Sequence, residues 1–202
     1  MAVLVIASII LTRNMKLVPE GKQNVVELIV DMLYGLVESS MGKDKLNFTP
    51  YMASLMMFIM VANLWGLIGL RPPTADLNTT FALSILTFCM IHFFGARSKG
   101  IGGYIKSQFL EPVPVLLPLN IISELATPLS LAFRLFGNIV GGLIIMSLLY
   151  GALAAFSSFL PIPILMAGIP APLHAYFDVF AGVLQSFIFT MLTMVFVSMA
   201  MD

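Results

Sequence analysis

Long apolar runs, separated by short polar or proline-containing stretches, make up most of this chain. Several of these runs approach the roughly 20 residues that a helix needs to cross a bilayer. The alternating pattern of a membrane β-barrel is absent from the sequence, so the spans are predicted to be helical. The pattern predicts four membrane helices, at residues 49–70, 81–96, 119–150 and 173–201.

The N-terminal part of the chain carries two shorter patterns. Residues 1–14 are apolar as far as Leu11, which corresponds to about 16 Å of helix, or half a bilayer. We interpret them as the end of a first membrane helix. In residues 19–41, apolar side chains recur at helical spacing opposite Glu27, Asp31 and Glu38. This segment is predicted to be an amphipathic helix on the membrane surface or against a partner.

Composition supports the same class of protein. Of 202 residues, 59% are hydrophobic and 10% are charged, and the mean hydropathy is +1.01. A soluble domain has roughly a quarter of its residues charged. We therefore expect one all-α integral membrane domain covering residues 1–202, with about five membrane helices and a surface amphipathic helix. The net charge of zero argues against a nucleic-acid partner.

The basic residues predict the orientation of the chain. If the predicted helices alternate in direction, only Arg71 lies in a loop on one side of the membrane. The loops on the other side contain Arg13, Lys16, Lys22, Lys43, Lys45, Arg97, Lys99 and Lys106. Because loops rich in lysine and arginine stay in the cytoplasm, the C-terminus is predicted to be cytoplasmic.

Arg134 is the most unusual residue of the apolar runs. The nearest acid on its N-terminal side is Glu124, ten residues back and about 15 Å away along a helix. An arginine at bilayer depth costs about 2.5–3.5 kcal/mol on insertion scales, so it normally faces a bundle interior, a cavity or a partner. The alternative is a side chain that extends to the headgroups, but apolar sequence continues for more than a turn on both sides. Asn138 follows at i+4 on the same helical face.

Other polar residues of the long helices occur at two depths. Those predicted at the inner depth are Asn120, Ser123 and Glu124. Asp178 lies at the outer depth, and Gln185 shares its helical face about 10 Å further along. Each carboxylate could instead be a helix-start residue near the headgroups. Polar groups at two depths on either side of Arg134 suggest two partial water pathways that do not join.

Small residues predict where helices pack closely. Gly137 and Gly141 lie one turn apart and would admit a neighbouring helix. Gly182 and Ser186 continue the stripe of Asp178 and Gln185, and we expect this stripe to pack against helix 119–150.

The sequence contains no recognisable catalytic centre. It has no GxSxG, HExxH or P-loop motif, so any link to ATP must run through partners. His92 and His174 stand alone in sequence, and we interpret them as interfacial or packing residues. We predict no catalytic residue, no cofactor and no metal site.

Three stretches, SELATPLSLAFRLFGN, PPTADLNTT and LQSFIFTMLTMVFVSMA, resemble subunit a of the bacterial F-type ATP synthase. The resemblance implies a stator of the inner membrane, whose partners are a rotating c-subunit ring, the b-subunit peripheral stalk and the rest of the complex. It implies that the two long helices form a tilted hairpin facing the ring. It also implies that Arg134 attracts ring carboxylates and blocks leakage between two half-channels, with Asn138 and Gln185 as the polar pair around it.

The chain departs from the family pattern at two positions. Leu143 stands where many relatives have Glu or His, and Asp178 stands where many have His or Glu. The outer relay is thus reduced to Asp178, which leaves both H⁺ and Na⁺ open as the coupling ion. Two other functions also remain open, an autonomous ion channel or transporter and a structural membrane scaffold. A scaffold would tolerate Arg134→Ala.

Overall fold

The computed structural model describes residues 2–13, 21–110, 117–157 and 168–202, and these ranges are helical and contain no strand. The helices are α1 (Ala2–Thr12), α2 (Lys22–Met41), α3 (Thr49–Leu64), α4 (Leu77–Lys99), α5 (Ile101–Ile105), α6 (Leu117–Ser157), α7 (Pro170–His174) and α8 (Gly182–Met201). Short 3₁₀ segments lie at Lys43–Phe48, Trp65–Ile68 and Pro73–Ala75, and π-helical segments at Lys106–Leu110 and Ala175–Ala181.

Four of the described segments are long and apolar enough to cross a membrane, namely Lys43–Ile68, Leu77–Lys99, Leu117–Phe156 and Pro170–Met201. The predicted all-α membrane class is confirmed. With 11 residues, α1 is too short to span, and its place in a first membrane helix stays a prediction.

The helix bounds differ from the predicted ones for local reasons. Helix α4 begins four residues before Phe81 because the Asp76 side chain accepts a hydrogen bond from the Asn78 N–H at 3.0 Å and caps the helix. Helices α6 and α7 each contain proline in the first turn, where the missing N–H costs no hydrogen bond. At its other end, α6 continues through the alanine-rich stretch to Ser157.

The chain divides into two compact units, Met1–Phe58 and Ile59–Asp202. In the first unit, α1, α2 and the start of α3 surround an apolar cavity of about 460 Å³. The side chains of Val26, Ile29 and Leu33 line it, so part of the predicted apolar face of α2 is directed at other helices of this unit.

In the second unit, α4 packs against both α6 and α8. Its buried stripe consists mainly of small residues, which let the neighbouring helices approach closely: Thr80, Ser84, Thr87, Ile91 and Gly95. Ser84 donates a hydrogen bond to the Pro128 carbonyl of α6, and the hydroxyls of Thr87 and Thr193 lie 3.3 Å apart between α4 and α8.

The predicted packing of the last helix against α6 is wrong for Gly182. Gly182 faces α3, since a Cβ there would lie 3.2 Å from the Cβ of Asn63. On the same helix, Thr193 contacts Thr87 of α4. Ser186 is fully buried, and its hydroxyl donates to the Val183 carbonyl of its own helix at 2.7 Å. The small residues of α4 provide a closer-fitting surface for α8 than the bulky side chains of α6.

Gly137 and Gly141 do not mediate helix packing within the described residues. A Cβ built on either glycine meets no atom within 4 Å, whereas one on Gly142 would lie 3.5 Å from the Phe177 side chain. The close approach within the chain therefore falls one residue later than predicted. A role for Gly137 and Gly141 against a partner stays a prediction.

Candidate functional site

Arg134 lies exposed on α6, at the wall of a pocket of about 220 Å³. The structure gives its guanidinium no hydrogen bond and no ion pair with any residue in the described ranges. The rest of the pocket lining combines hydroxyl and apolar side chains: Ser123, Ala126, Thr127, Ser130, Leu131, Leu192 and Phe196. Because water occupies about 30 Å³ per molecule in the liquid, the pocket has room for several waters beside the charge.

Asn138 and Gln185 lie close to the level of Arg134. The Asn138 amide nitrogen is 3.4 Å from the Ala181 carbonyl oxygen. This contact shows which residues of α6 lie beside which residues of the antiparallel last helix. One turn from this contact, toward the N-terminal end of α6, α6 presents Arg134 and α8 presents Gln185. Gln185 is 6% exposed, and its amide nitrogen has no hydrogen-bond partner among the described residues. This level therefore has more hydrogen-bond donors than acceptors.

A group that we call the Glu124 cluster joins α4, α5 and α6. Its members are His92, Tyr104, Gln108 and Glu124. The His92 Nε2 lies 3.3 Å from one Glu124 oxygen, and Gln108 donates to the other at 2.6 Å. The Tyr104 hydroxyl lies 2.8 Å from His92 Nδ1. Gly95 makes room for the Tyr104 ring, which any Cβ at that position would overlap.

The charge state of Tyr104 orients the hydrogen bonds of this cluster. Burial, with a further contribution from the Glu124 carboxylate, raises the pKa of Tyr104 to about 12. The phenol therefore keeps its proton at neutral pH and can donate it to His92 Nδ1. The other ring nitrogen of His92, Nε2, then remains on the Glu124 side, 3.3 Å from the carboxylate oxygen.

A second group, the Asp178 cluster, joins α6 to the π-helical segment before α8. Its members are Tyr150, His174 and Asp178. His174 Nδ1 lies 2.6 Å from Asp178 Oδ2, and its Nε2 lies 3.0 Å from the Tyr150 hydroxyl. The His174 side chain is 38% exposed and that of Asp178 is 17% exposed. On its other side Asp178 packs against Gly66, where a Cβ would lie 3.6 Å from Oδ1.

The structure thus brings most of the predicted site residues into three levels along α6. Glu124 belongs to the Glu124 cluster, and Ser123 lines the pocket that leads to Arg134. Asn120 lies half-buried one turn before Glu124 and is not a member of the Glu124 cluster. Arg134, Asn138 and Gln185 form the middle level, and Asp178 belongs to the last.

The two histidines are not isolated in the structure, and their interpretation as interfacial or packing residues stays a prediction. His174 bonds to Asp178 at i+4, a spacing that the sequence displays and that could have been used. His92 meets Glu124 only through the packing of α4 against α6, and no sequence signal pointed to it. The described residues hold no group of three His, Cys, Asp or Glu side chains placed to bind a metal ion.

Among the described residues, four apolar segments can cross a membrane, and the two longest carry polar clusters and an arginine that has no partner there. These features define an integral membrane protein with polar and charged groups inside its apolar helices. The family model described as ATP synthase A chain matches residues 1–198. The chain therefore belongs to the ATP synthase subunit a family, and its function is that of the ion-translocating stator of F-type ATP synthase.

Curated relatives agree with this family over nearly the whole chain. ATP synthase subunit a of Moorella thermoacetica is 38% identical over 198 residues, covering 97% of this chain and 84% of the relative. ATP synthase subunit a, sodium ion specific, of Propionigenium modestum is 38% identical over 202 residues, which cover 92% of this chain and 65% of the relative. ATP synthase subunit a of Listeria welshimeri is 36% identical over 206 residues, covering 97% and 85%.

Proposed function

We propose that Arg134 separates two half-channels and attracts the ionised carboxylate of each c subunit that passes it. The observation that carries this proposal is the exposed guanidinium without a partner among the described residues. A charge at bilayer depth needs a counter-charge, and a carboxylate on a neighbouring subunit supplies one. Guanidinium suits the task because it stays charged at working pH and cannot relay a proton.

The two polar clusters mark the ends of the half-channels. From the Glu124 cluster, the hydroxyls of Ser123, Thr127 and Ser130 lead along one pocket to Arg134. The Asp178 cluster lies beyond Asn138, on the other side of the arginine. An ion that reaches Arg134 from either end must therefore leave on a rotor carboxylate to complete the crossing. The donor-rich level of Arg134, Asn138 and Gln185 would hold such a carboxylate in its ionised form.

Within the second unit, the basic residues support the proposed orientation. Arg97 and Lys99 lie in the last turn of α4 and Lys106 follows it, at the end that carries the Glu124 cluster, whereas Arg71 lies at the opposite end. The positive-inside rule then makes the Glu124 side cytoplasmic. Ser98 donates to the Met201 carbonyl at 2.7 Å, so the C-terminus shares that side. For a bacterial protein of this family the membrane is the inner membrane.

Membership in the ATP synthase supports the proposed partners. The c-subunit ring would face the tilted hairpin of the two long helices. On α6, the helix that carries Arg134, the residues Phe133, Gly137 and Leu148 are also exposed. The b-subunit peripheral stalk would hold the chain still against rotation. Both H⁺ and Na⁺ remain candidates for the coupling ion, and a sodium-specific relative is among those that this chain resembles.

The test is Arg134→Ala in membrane vesicles that contain the assembled complex, with Arg97→Ala as a matched control outside the pathway. We expect Arg134→Ala to abolish both ion-driven ATP synthesis and ATP-driven ion pumping, because rotor carboxylates lose their counter-charge. Arg97→Ala should keep both activities. An Arg134→Ala complex that assembles normally and still pumps would contradict the proposal and support a scaffold role.

A further inference from the structure

We propose that His174 is the proton-uptake residue of the outer half-channel, taking protons from outer water through Tyr150 and passing them to Asp178. This inference rests on the proposed function and goes beyond it in assigning the pathway to protons. The family pattern described above pointed to Asp178 alone at this depth. The structure adds two titratable side chains in direct line with it.

Geometry places the imidazole between an exposed group and a more buried one. Tyr150 is 38% exposed, and its hydroxyl lies 3.0 Å from His174 Nε2. On the other side of the ring, Nδ1 lies 2.6 Å from Asp178 Oδ2, and that side chain is 17% exposed. The three groups thus form a hydrogen-bonded line from two side chains of comparable exposure, Tyr150 and His174, to the more buried carboxylate of Asp178. Tyr150 and Asp178 are the titratable groups, among the described residues, within hydrogen-bond distance of the ring.

The backbone around His174 holds this line in place. Asp178 lies in the π-helical segment Ala175–Ala181, a backbone form that occurs frequently at functional sites. Tyr150 comes from α6, the helix that also carries Arg134, so the line bridges the two long segments of the proposed hairpin. Gly66 lies against the second carboxylate oxygen, where a Cβ would be in ordinary van der Waals contact with Oδ1 at 3.6 Å.

The transfer balances with hydronium as the proton source. A hydronium ion of the outer water gives its proton to the Tyr150 oxygen and becomes water, while the tyrosine O–H proton moves to His174 Nε2, which makes an imidazolium. The Nδ1–H bond then breaks as its proton forms an O–H bond with Asp178 Oδ2, and the ring becomes neutral. Exchange of ring protons with outer water restores the starting tautomer. Histidine suits this step because its charge change normally falls between pH 5 and 8.

A sodium pathway would not use this arrangement. Each protonation of the ring places a positive charge beside Asp178, which would repel an arriving Na⁺. The Nδ1 contact also occupies one of the two carboxylate oxygens that a sodium ion would need as ligands. The line of side chains therefore favours H⁺ as the ion taken up at this end.

The experiment measures ATP synthesis driven by an imposed proton gradient, in vesicles containing the whole complex. The variants are His174→Ala and His174→Gln, and the control is Tyr176→Phe, which removes an exposed hydroxyl from the same segment. We expect both histidine variants to lower the initial rate by about 100-fold or more, since a positioned proton-transfer group typically contributes roughly 100- to 10,000-fold. Imidazole added on the outer side should partly restore His174→Ala but not His174→Gln.

Glutamine separates proton transfer from positioning, because its amide can still bond to Tyr150 and Asp178 but cannot carry a proton across. A His174→Gln complex with an unchanged rate would overturn the proposal, as would synthesis driven by a sodium gradient and not by a proton gradient. Arg134→Ala, measured in parallel, tests the proposed function separately: its inactivity together with a fully active His174→Gln would reject only the role of His174.

Discussion

Gly95→Ala is a sharp test of the packing between α4, α5 and α8. The added Cβ would overlap the edge of the Tyr104 ring, would lie 2.9 Å from its Cδ2 and would approach the Ala200 carbonyl oxygen to 3.1 Å. The carbonyl belongs to the backbone of α8 and cannot move by itself. Tyr104 is 5% exposed and hydrogen-bonded to His92, so its ring has little freedom to turn away.

The size of the effect follows from three contributions. Overpacking typically costs about 1–3 kcal/mol, and loss of the Tyr104–His92 hydrogen bond costs roughly 0.5–1.5 kcal/mol. The higher helix propensity of alanine recovers up to about 1 kcal/mol. We therefore expect a net loss of about 1–3 kcal/mol, and for a protein of this size each kcal/mol lowers Tm by roughly 2–4 °C.

The assay is heat treatment of membranes containing the assembled complex, followed by solubilisation and quantification of the subunit that remains soluble. Gly102→Ala is the matched control, because a Cβ there meets no atom within 4 Å, and it should leave Tm unchanged or raise it. In Gly95→Ala combined with Tyr104→Ala, the part of the penalty that comes from the Tyr104 ring should disappear, and the contact with the Ala200 carbonyl should remain. Wild-type heat stability of Gly95→Ala alone would refute the argument.

Two further substitutions test the middle of the second unit. Asn63→Leu should destabilise it by about 2–4 kcal/mol, because the buried amide donates to the Gly182 carbonyl at 2.8 Å and accepts from Thr74 at 2.7 Å. The same heat assay measures this, and unchanged stability would show that these bonds contribute nothing net. Ser130→Leu should fill much of the pocket beside Arg134 and slow ATP-driven ion pumping several-fold, whereas Ser130→Ala should not. Equal pumping rates in the two Ser130 variants would show that ions do not use this pocket.

Local sequence properties were sufficient for the class of protein and for the central residue. Hydropathy and run length identify membrane helices because every backbone polar group inside a bilayer must be bonded within its own helix. The predicted helix ends were less accurate where a side chain set the boundary. The cap of α4 is an example. Asp76 is a common capping residue, but a polar residue before a helix does not register in a hydropathy pattern.

Neighbour relations between helices could not be read from the same pattern. Lipid tails are as apolar as leucine, so helix contacts in a membrane depend on small residues and on single polar bonds, which hydropathy does not report. Hydropathy therefore predicts the wrong neighbour for Gly182, and it gives no indication of the contact between His92 and Glu124. The sequence alone determined the membrane helices and the lone Arg134. Tertiary packing decided which side chains surround that charge, because those contacts join residues distant in the chain.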